Sequence, residues 1–135
     1  MLAPKVIMIV DDDPDDVAFF CEALSEIDTS IRCIGVKGAE EALWLLKKNS
    51  DNYPDFIFLD LNMPKMNGKQ CLKQIKSDIN LSSIPVVVYT TSKTREDIAE
   101  AKKLGAHYFL TKPNKFAELK TAIKFIIEKK CDEIS

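Results

Sequence analysis

The chain has 135 residues, of which 46% are hydrophobic and 30% charged, with a net charge of −2. A chain of this length and composition forms one domain, predicted at residues 1–135 with its core at about 5–130, and needs no disulfide or metal for stability. It lacks an apolar run of the roughly 20 residues that cross a bilayer, and it lacks a signal-peptide pattern. We therefore expect a cytoplasmic protein without a membrane segment.

Acidic and basic residues are unevenly distributed along the chain. Residues 1–60 hold 13 acidic and 5 basic side chains, whereas residues 61–135 hold 8 acidic and 14 basic ones. Such a division is typical of two solvated faces of opposite sign. It also fits an acidic pocket built from the first half of the chain and a basic face on the second half for a partner.

The four cysteines, Cys21, Cys33, Cys71 and Cys131, are widely separated and form no C-x-x-C pair. His107 is the only histidine, so a zinc site of cysteines and histidines is not expected. We predict reduced thiols at all four positions, most of them packing residues.

The first predicted strand is the unbroken apolar run Lys5–Val10. Such a run is typical of a parallel strand that is buried on both faces. An acidic segment follows, in which Asp13 is predicted to cap a helix and Pro14 to occupy its first position. Apolar residues at helical spacing extend that helix to about Ile27.

The second strand is predicted at Ile31–Val36, and Gly38 opens the second helix. This helix has a buried stripe, formed by Ala39, Ala42, Leu43 and Leu46. Trp44 lies off the stripe and is expected at the surface. The third strand, Asp55–Asp60, is bounded by prolines and ends at an aspartate.

The third helix has an inward stripe that is predicted to comprise Cys71, Leu72, Ile75 and Ile79. The fourth strand, Ile84–Tyr89, is another continuous apolar run. The fourth helix is predicted to have Thr94 and Asp97 at capping-box spacing and Gly105 at its C-cap.

The fifth strand is predicted at His107–Leu110, and the last helix runs from about Lys115 to Lys130. The buried positions of that helix are Phe116, Leu119, Ile123 and Ile126. Strict alternation of five strands with five helices predicts an α/β, doubly wound domain with a five-stranded parallel sheet. In such domains the chemistry occurs beyond the carboxyl ends of the strands.

Four strand ends bring polar side chains to that edge. They are Asp11 and Asp12 after the first strand, Asp60 after the third, Thr90 after the fourth and Lys112 after the fifth. Crowded carboxylates repel one another unless a cation intervenes. Because the available ligands are oxygens, we expect Mg²⁺ or Mn²⁺ rather than zinc. One divalent ion together with Lys112 would balance the three carboxylates, so the pocket could accept a phosphoryl group.

Phosphoryl transfer needs an in-line nucleophile and donors to the equatorial oxygens. Asp60 is the candidate nucleophile and would form an aspartyl phosphate. Lys112 and the Thr90 hydroxyl are candidates to hold the phosphoryl oxygens. Thr91 and Ser92 offer neighbouring hydroxyls, but Thr90 is preferred because it lies at the strand end.

Four short motifs follow one another on these strand ends. They are Val10-Asp11-Asp12, Leu59-Asp60-x-x-Met63-Pro64-x-x-x-Gly68, Val88-x-Thr90 and Lys112-Pro113. Together they resemble the receiver domain of two-component response regulators, over about residues 5–130. Each motif alone is weak, but four in this order are specific. The resemblance implies a flavodoxin-like fold with strand order 2-1-3-4-5.

The resemblance also implies a metal site and a phosphoacceptor. A sensor histidine kinase or a phosphotransfer protein would phosphorylate Asp60. Asp12 and Asp60 would bind Mg²⁺ directly, together with the backbone carbonyl of Asn62. Asp11 would act through a metal-bound water.

Further roles follow from the same resemblance. Thr90 and Lys112 would contact the phosphoryl group, and the peptide bond between Lys112 and Pro113 would be cis. Phe109 takes the position of the aromatic residue that changes rotamer on phosphorylation. The protein would be a signalling phosphoacceptor rather than an enzyme, although it would promote its own phosphotransfer and autodephosphorylation.

The resemblance implies an output surface as well. A downstream protein, or a second copy of the chain, would bind the face formed by the fourth helix, fifth strand and fifth helix. We expect neither nucleic acid nor membrane as a partner.

Alternative functions are open to a chain with this pattern. A phosphorelay shuttle or a phosphate sink would use the same site with a different output. A haloacid-dehalogenase-like phosphohydrolase requires a second aspartate two residues after the nucleophile, where this chain has Asn62. A flavin-binding domain requires a hydroxyl- and glycine-rich loop after the first strand, where this chain has an acidic segment. A receiver retained only as a scaffold is disfavoured by the intact acceptor set.

Overall fold

Strands and helices alternate along the whole of the described chain, which in this computed structural model comprises residues 4–49, 51–63 and 66–134. The strands are β1 (Val6–Val10), β2 (Arg32–Val36), β3 (Phe56–Leu59), β4 (Val86–Thr90) and β5 (Tyr108–Thr111). The helices are α1 (Pro14–Ile27), α2 (Ala39–Lys48), α3 (Gly68–Ser77), α4 (Arg95–Lys103) and α5 (Phe116–Ile134). The predicted sequence of elements is confirmed.

The strands form one parallel sheet with the order β2-β1-β3-β4-β5. The predicted fold class and strand order are therefore confirmed. The order of the strands reverses at β1, which lies between β2 and β3. In open α/β sheets ligands bind at this switch point, so the residues that follow β1 and β3 define where to look for a site.

Two hydrophobic layers cover the two faces of the sheet. Alternate residues of β1, β3 and β4 pack either under α2 and α3 or under α1 and α5. All four residues of β3 are buried as a result. This burial on both faces explains why the central strands appear in the sequence as unbroken apolar runs.

The helix ends follow their local sequence signals. The Asp13 carboxylate accepts the Asp15 N–H at the start of α1, and the Thr94 hydroxyl accepts the Asp97 N–H at the start of α4. Gly105, with φ of 102°, comes one residue after the C-cap of α4 rather than at the cap itself. The left-handed conformation that ends the helix there is readily adopted by glycine.

Two predicted burial assignments differ from the structure. Ile79 is 90% exposed, because α3 ends at Ser77 and the apolar spacing continues beyond the helix. Phe116 is only partly buried, whereas the other predicted inward residues of α5 are buried as expected. Trp44 is 58% exposed, as predicted.

The prediction that all cysteines are reduced is wrong for one pair. Cys21 of α1 and Cys33 of β2 form a disulfide, with their Cα atoms 5.7 Å apart. The helix approaches the strand closely here, because a Cβ added to Gly35 would lie 2.6 Å from a methyl group of Val17. Val17 precedes Cys21 by one helical turn, and Gly35 follows Cys33 on the same face of β2, so the cysteines lie on one close seam.

The two remaining cysteines, Pro64 and the expected lack of a membrane segment complete the comparison with the sequence. Cys71 is a buried free thiol, and burial raises its pKa to about 12. The side chain of Cys131 and the whole of Pro64 lie outside the described residues. Within the described ranges, no helix combines the length and the apolar content needed to cross a bilayer.

Candidate functional site

Three carboxylates meet where β1 and β3 end. Val10 and Leu59 are register partners in the sheet, so Asp11 and Asp60, which follow them, lie side by side. Carboxylate oxygens of Asp11, Asp12 and Asp60 all lie within 4.8 Å of one another. Asp11 and Asp60 are buried, whereas Asp12 is exposed, so the cluster opens to solvent on the side of Asp12.

Lys112, one residue after β5, supplies the positive charge of the cluster. Its Nζ lies 2.7 Å from Asp11 Oδ2, 2.8 Å from Asp16 Oδ2 and 3.7 Å from Asp60 Oδ2. Burial lowers the pKa of Lys112, but the hydrogen bonds with Asp11 and Asp16 outweigh burial and raise it above the ordinary value. Lys112 is therefore a fixed cation at this site.

The two buried carboxylates ionise less readily than usual. Burial raises the pKa of Asp60, Lys112 lowers it, and neighbouring Asp11 raises it again. Burial likewise raises the pKa of Asp11, against the hydrogen bond from Lys112. One lysine is thus shared among several carboxylates, and a divalent cation would relieve the remaining negative charge. The donors are all oxygens, which fits Mg²⁺ or Mn²⁺.

Asp16 was not among the residues that sequence reasoning assigned to the site. It lies in the first turn of α1, where acidic residues are also favoured by the helix dipole. The helix dipole alone accounts for an acidic residue at this position, so the sequence does not indicate that Asp16 is a partner of Lys112. The 2.8 Å contact between the two side chains assigns it to the cluster.

Thr90 is the last residue of β4 and is fully buried. Hydrogen bonding by the Thr90 side chain lowers the pKa of Asp60, an effect smaller than those of burial and of Lys112. The neighbouring hydroxyls differ, since Thr91 is exposed and Ser92 donates to Asp97. Thr90 is thus the hydroxyl of the three that the fold directs to Asp60.

The loop after Asp60 packs closely against Asp60 itself. The Asn62 N–H donates to Asp60 Oδ1 at 3.3 Å, and the Asn62 side chain is exposed. Gly68 begins α3 against this loop, because a Cβ added there would lie 2.1 Å from the Asp60 carbonyl oxygen. Only glycine permits that approach, which gives a physical reason for the glycine in the second motif.

Two aromatic residues lie near the cluster. One is Tyr89, beside Lys112, and the other is Phe109 on β5, the strand that precedes Lys112. Lys112 Nζ lies 5.4 Å from the centre of the buried Tyr89 ring. Phe109 of β5 is partly buried against the core layer that contains α2 and α3. It also lines a cleft of about 620 Å³ between β5 and α5, together with Phe125, which is 57% exposed.

One backbone expectation is wrong. The described residues contain no cis peptide bond, so the bond between Lys112 and Pro113 is trans. Trans is the commoner form even before proline. Lys112 makes its contacts with Asp11 and Asp16 from this trans geometry.

Comparison with known proteins identifies the family. The family model of the response regulator receiver domain matches residues 7–124. The chain belongs to this family. It is therefore a signalling domain of two-component systems, and its relatives fit the role of a phosphoacceptor.

Individual relatives support the same assignment of a receiver domain. The response regulator Rcp1 of Synechocystis sp. is 32% identical over 120 residues, which cover 86% of this chain and 82% of the relative. The crystal structure of the phosphorylated cyanobacterial phytochrome response regulator RcpA has a TM-score of 0.84 at 35% identity and covers 93% of both chains. The Mn²⁺-bound form of response regulator Rcp1 has a TM-score of 0.80 at 31% identity, covering 91% of both chains.

Proposed function

We propose that this receiver domain accepts a phosphoryl group on Asp60 from a sensor histidine kinase or a phosphotransfer protein, and that it signals by a phosphorylation-dependent change of conformation. The observation that carries the proposal is the position of Asp60 at the switch point of the sheet. Its carboxylate is buried among two other carboxylates and lies 3.7 Å from Lys112 Nζ. The proposed domain comprises residues 1–135, with its core at about 5–130.

The chemical step requires little beyond what the cluster offers. An Asp60 oxygen attacks phosphorus, and the bond from phosphorus to the donor imidazole nitrogen breaks as the new P–O bond forms. The electron pair of the broken bond stays on the imidazole. Lys112 and the Thr90 hydroxyl would each hold one phosphoryl oxygen, which stabilises the charge in the transition state.

The metal site is proposed to hold Mg²⁺, with Mn²⁺ as a substitute. Asp12, Asp60 and the Asn62 carbonyl would bind the ion directly, and Asp11 would bind through a water. The indirect role of Asp11 is supported by its contacts. Its two carboxylate oxygens already accept hydrogen bonds, one from the Asp13 N–H at 3.0 Å and one from Lys112 Nζ at 2.7 Å. The bound ion would neutralise charge on the phosphoryl oxygens.

The protein is proposed to act as a signalling phosphoacceptor that promotes its own phosphotransfer and autodephosphorylation. Asn62 stands where a phosphohydrolase of the haloacid-dehalogenase kind has its general acid. Shuttling or draining of phosphoryl groups would use the same residues and differ only in the next acceptor. We expect the domain to act in the cytoplasm.

The proposed output face consists of α4, β5 and α5. Phe109 supports the choice of this face, because it packs against the core and also lines the surface cleft beside α5. Lys102 and Lys103 are exposed at the end of α4 and would favour an acidic partner or a second copy. Lys120 of α5 instead pairs with Glu26 of α1 at 3.3 Å.

The proposal is tested by phosphorylation with acetyl phosphate, read by intact mass. The wild-type protein should gain one phosphoryl group with Mg²⁺ or Mn²⁺ and remain unmodified in EDTA, because the carboxylates are then uncompensated. Asp60→Asn should abolish the product, whereas Asp51→Asn, which changes an exposed loop aspartate, should not. An equal yield from the Asp60→Asn protein would show that Asp60 is not the acceptor.

A further inference from the structure

Ser92, in the loop between β4 and α4, uses all of its polar groups in side-chain contacts. Its N–H donates to Thr90 Oγ1 at 3.4 Å, and its carbonyl accepts the Thr111 hydroxyl at 3.2 Å. Its own hydroxyl donates to the Asp97 carboxylate. Because Thr90 and Thr111 are register partners, Ser92 joins the ends of two strands beside the site to the first turn of α4.

Asp97 is itself held by α3. Lys69 Nζ lies 2.8 Å from Asp97 Oδ1 and 3.1 Å from Glu100 Oε2. The hydrogen bond from Lys69, followed by that from Ser92, lowers the pKa of Asp97, so the pair is ionised. Lys69 follows Gly68, whose backbone packs against the Asp60 carbonyl, and the ion pair therefore links helices that both begin beside the site.

We propose that Ser92 is a positioning residue for Thr90, and that the Lys69–Asp97 ion pair is a latch which holds Ser92 in the resting arrangement. This inference rests on the proposed phosphoacceptor function. When the Thr90 hydroxyl moves to a phosphoryl oxygen, the Ser92 N–H loses its acceptor and the loop must rearrange. The latch opposes that rearrangement, so it lowers the affinity of the site for a phosphoryl group.

The size of the effect follows from the exposure of the pair. The Lys69 and Asp97 side chains are 31% and 24% exposed, so solvent and salt screen their attraction. Partly exposed ion pairs have modest energies. Loss of the latch should therefore tighten the binding of a phosphoryl mimic by about two- to fivefold.

The test measures the affinity for beryllofluoride, a phosphoryl mimic, by calorimetry in saturating Mg²⁺. Lys69→Gln removes a positive charge and Asp97→Asn removes a negative one, so any long-range field effect would move the two affinities in opposite directions. Loss of the latch instead tightens binding in both. The double variant should resemble either single variant, because both substitutions break one and the same pair.

Matched controls use neighbouring charges on the same helices. Lys73→Gln lies one turn further along α3, and Glu96→Gln lies beside Asp97 at an exposed position of α4. Neither should tighten binding. Ser92→Ala, which removes only the hydroxyl link to Asp97, should tighten it as the latch variants do, and high salt should bring the wild type closer to the variants.

The outcomes separate this inference from the function on which it rests. If beryllofluoride binds the wild type and Asp60→Asn equally, the proposed acceptor is wrong. If binding depends on Asp60 but the single variants move in opposite directions, or weaken, or do not change, then the latch is wrong while the acceptor stands. A purely structural role of the ion pair would lower the unfolding midpoint without tightening the mimic. If a variant fails to fold, Ser92→Ala and the salt dependence of the wild type decide the matter.

Discussion

Asp60 ionises in surroundings that disfavour its charge. Burial raises its pKa, and the opposing effect of Lys112 does not cancel this. A carboxyl group with a raised pKa contributes stability that is fully present below its unfolded value of 3.8 and is lost as pH rises through the folded value. At neutral pH the metal-free protein therefore carries a destabilising carboxylate.

Asp60→Asn is expected to stabilise the metal-free protein at pH 7 by about 1–2 kcal/mol, because the amide needs no ionisation in the buried site. Urea denaturation in EDTA measures this gain, which should shrink as pH falls toward the raised pKa of Asp60. Saturating Mg²⁺ should stabilise the wild type more than the variant. Asp51→Asn is the control, and a gain of equal size at every pH would contradict the argument.

Residues at strand ends could be found from sequence, and residues that reach the site from helices could not. One rule, that the carboxyl ends of parallel strands share an edge, collected Asp11, Asp12, Asp60, Thr90 and Lys112. Asp16 and Lys69 lie in the first turns of helices, where polar residues have ordinary capping and solvation roles. Their contacts depend on side-chain directions that the sequence pattern does not contain.

The seam between α1 and β2 is the element-scale feature that was not expected. Helical and strand spacing correctly predicted both elements, but periodicity does not say which turn of a helix crosses which strand residue. The close approach at Gly35 brings Cys21 to Cys33, and the pair forms a disulfide. The hydrophobic layer around α1 also includes α5 and the sheet, so the fold does not depend on this bond.

Reduction of the disulfide should lower stability without unfolding the protein. The cysteines are 12 residues apart, and closing a loop of that size is worth at most about 3 kcal/mol in the chain-entropy account. Urea denaturation with and without dithiothreitol measures the difference. Cys21→Ser/Cys33→Ser should be insensitive to the reductant and match the reduced wild type. An unchanged urea midpoint on addition of dithiothreitol would show that the bond does not form in solution. Cytosolic thiols are usually reduced, so this is the outcome to test against.

At the scale of the whole molecule, the strand order connects the site to a distant face. β4 and β5 are adjacent, with Thr90 opposite Thr111 and Val88 opposite Phe109. Thr90 is therefore one strand away from Phe109, which lies between the core and the cleft beside α5. We therefore expect a movement of the Thr90 hydroxyl to affect the packing space of Phe109 more directly than that of the surface residues on α5.

Phe109→Ala is expected to uncouple the site from the output face. Beryllofluoride with Mg²⁺ should change amide hydrogen exchange in α4, β5 and α5 and strengthen self-association of the wild type about tenfold, within the usual range of allosteric coupling. In the variant the mimic should still bind, but the ratio of association constants with and without it should fall toward one. Phe125→Ala is the matched control, because this exposed residue lines the same cleft but lies outside the core layers. Its substitution should weaken association equally in both states and leave the ratio unchanged. If the mimic strengthens association equally in wild type and Phe109→Ala, Phe109 is not the coupling residue, and the signal leaves the pocket through the β4–α4 loop instead.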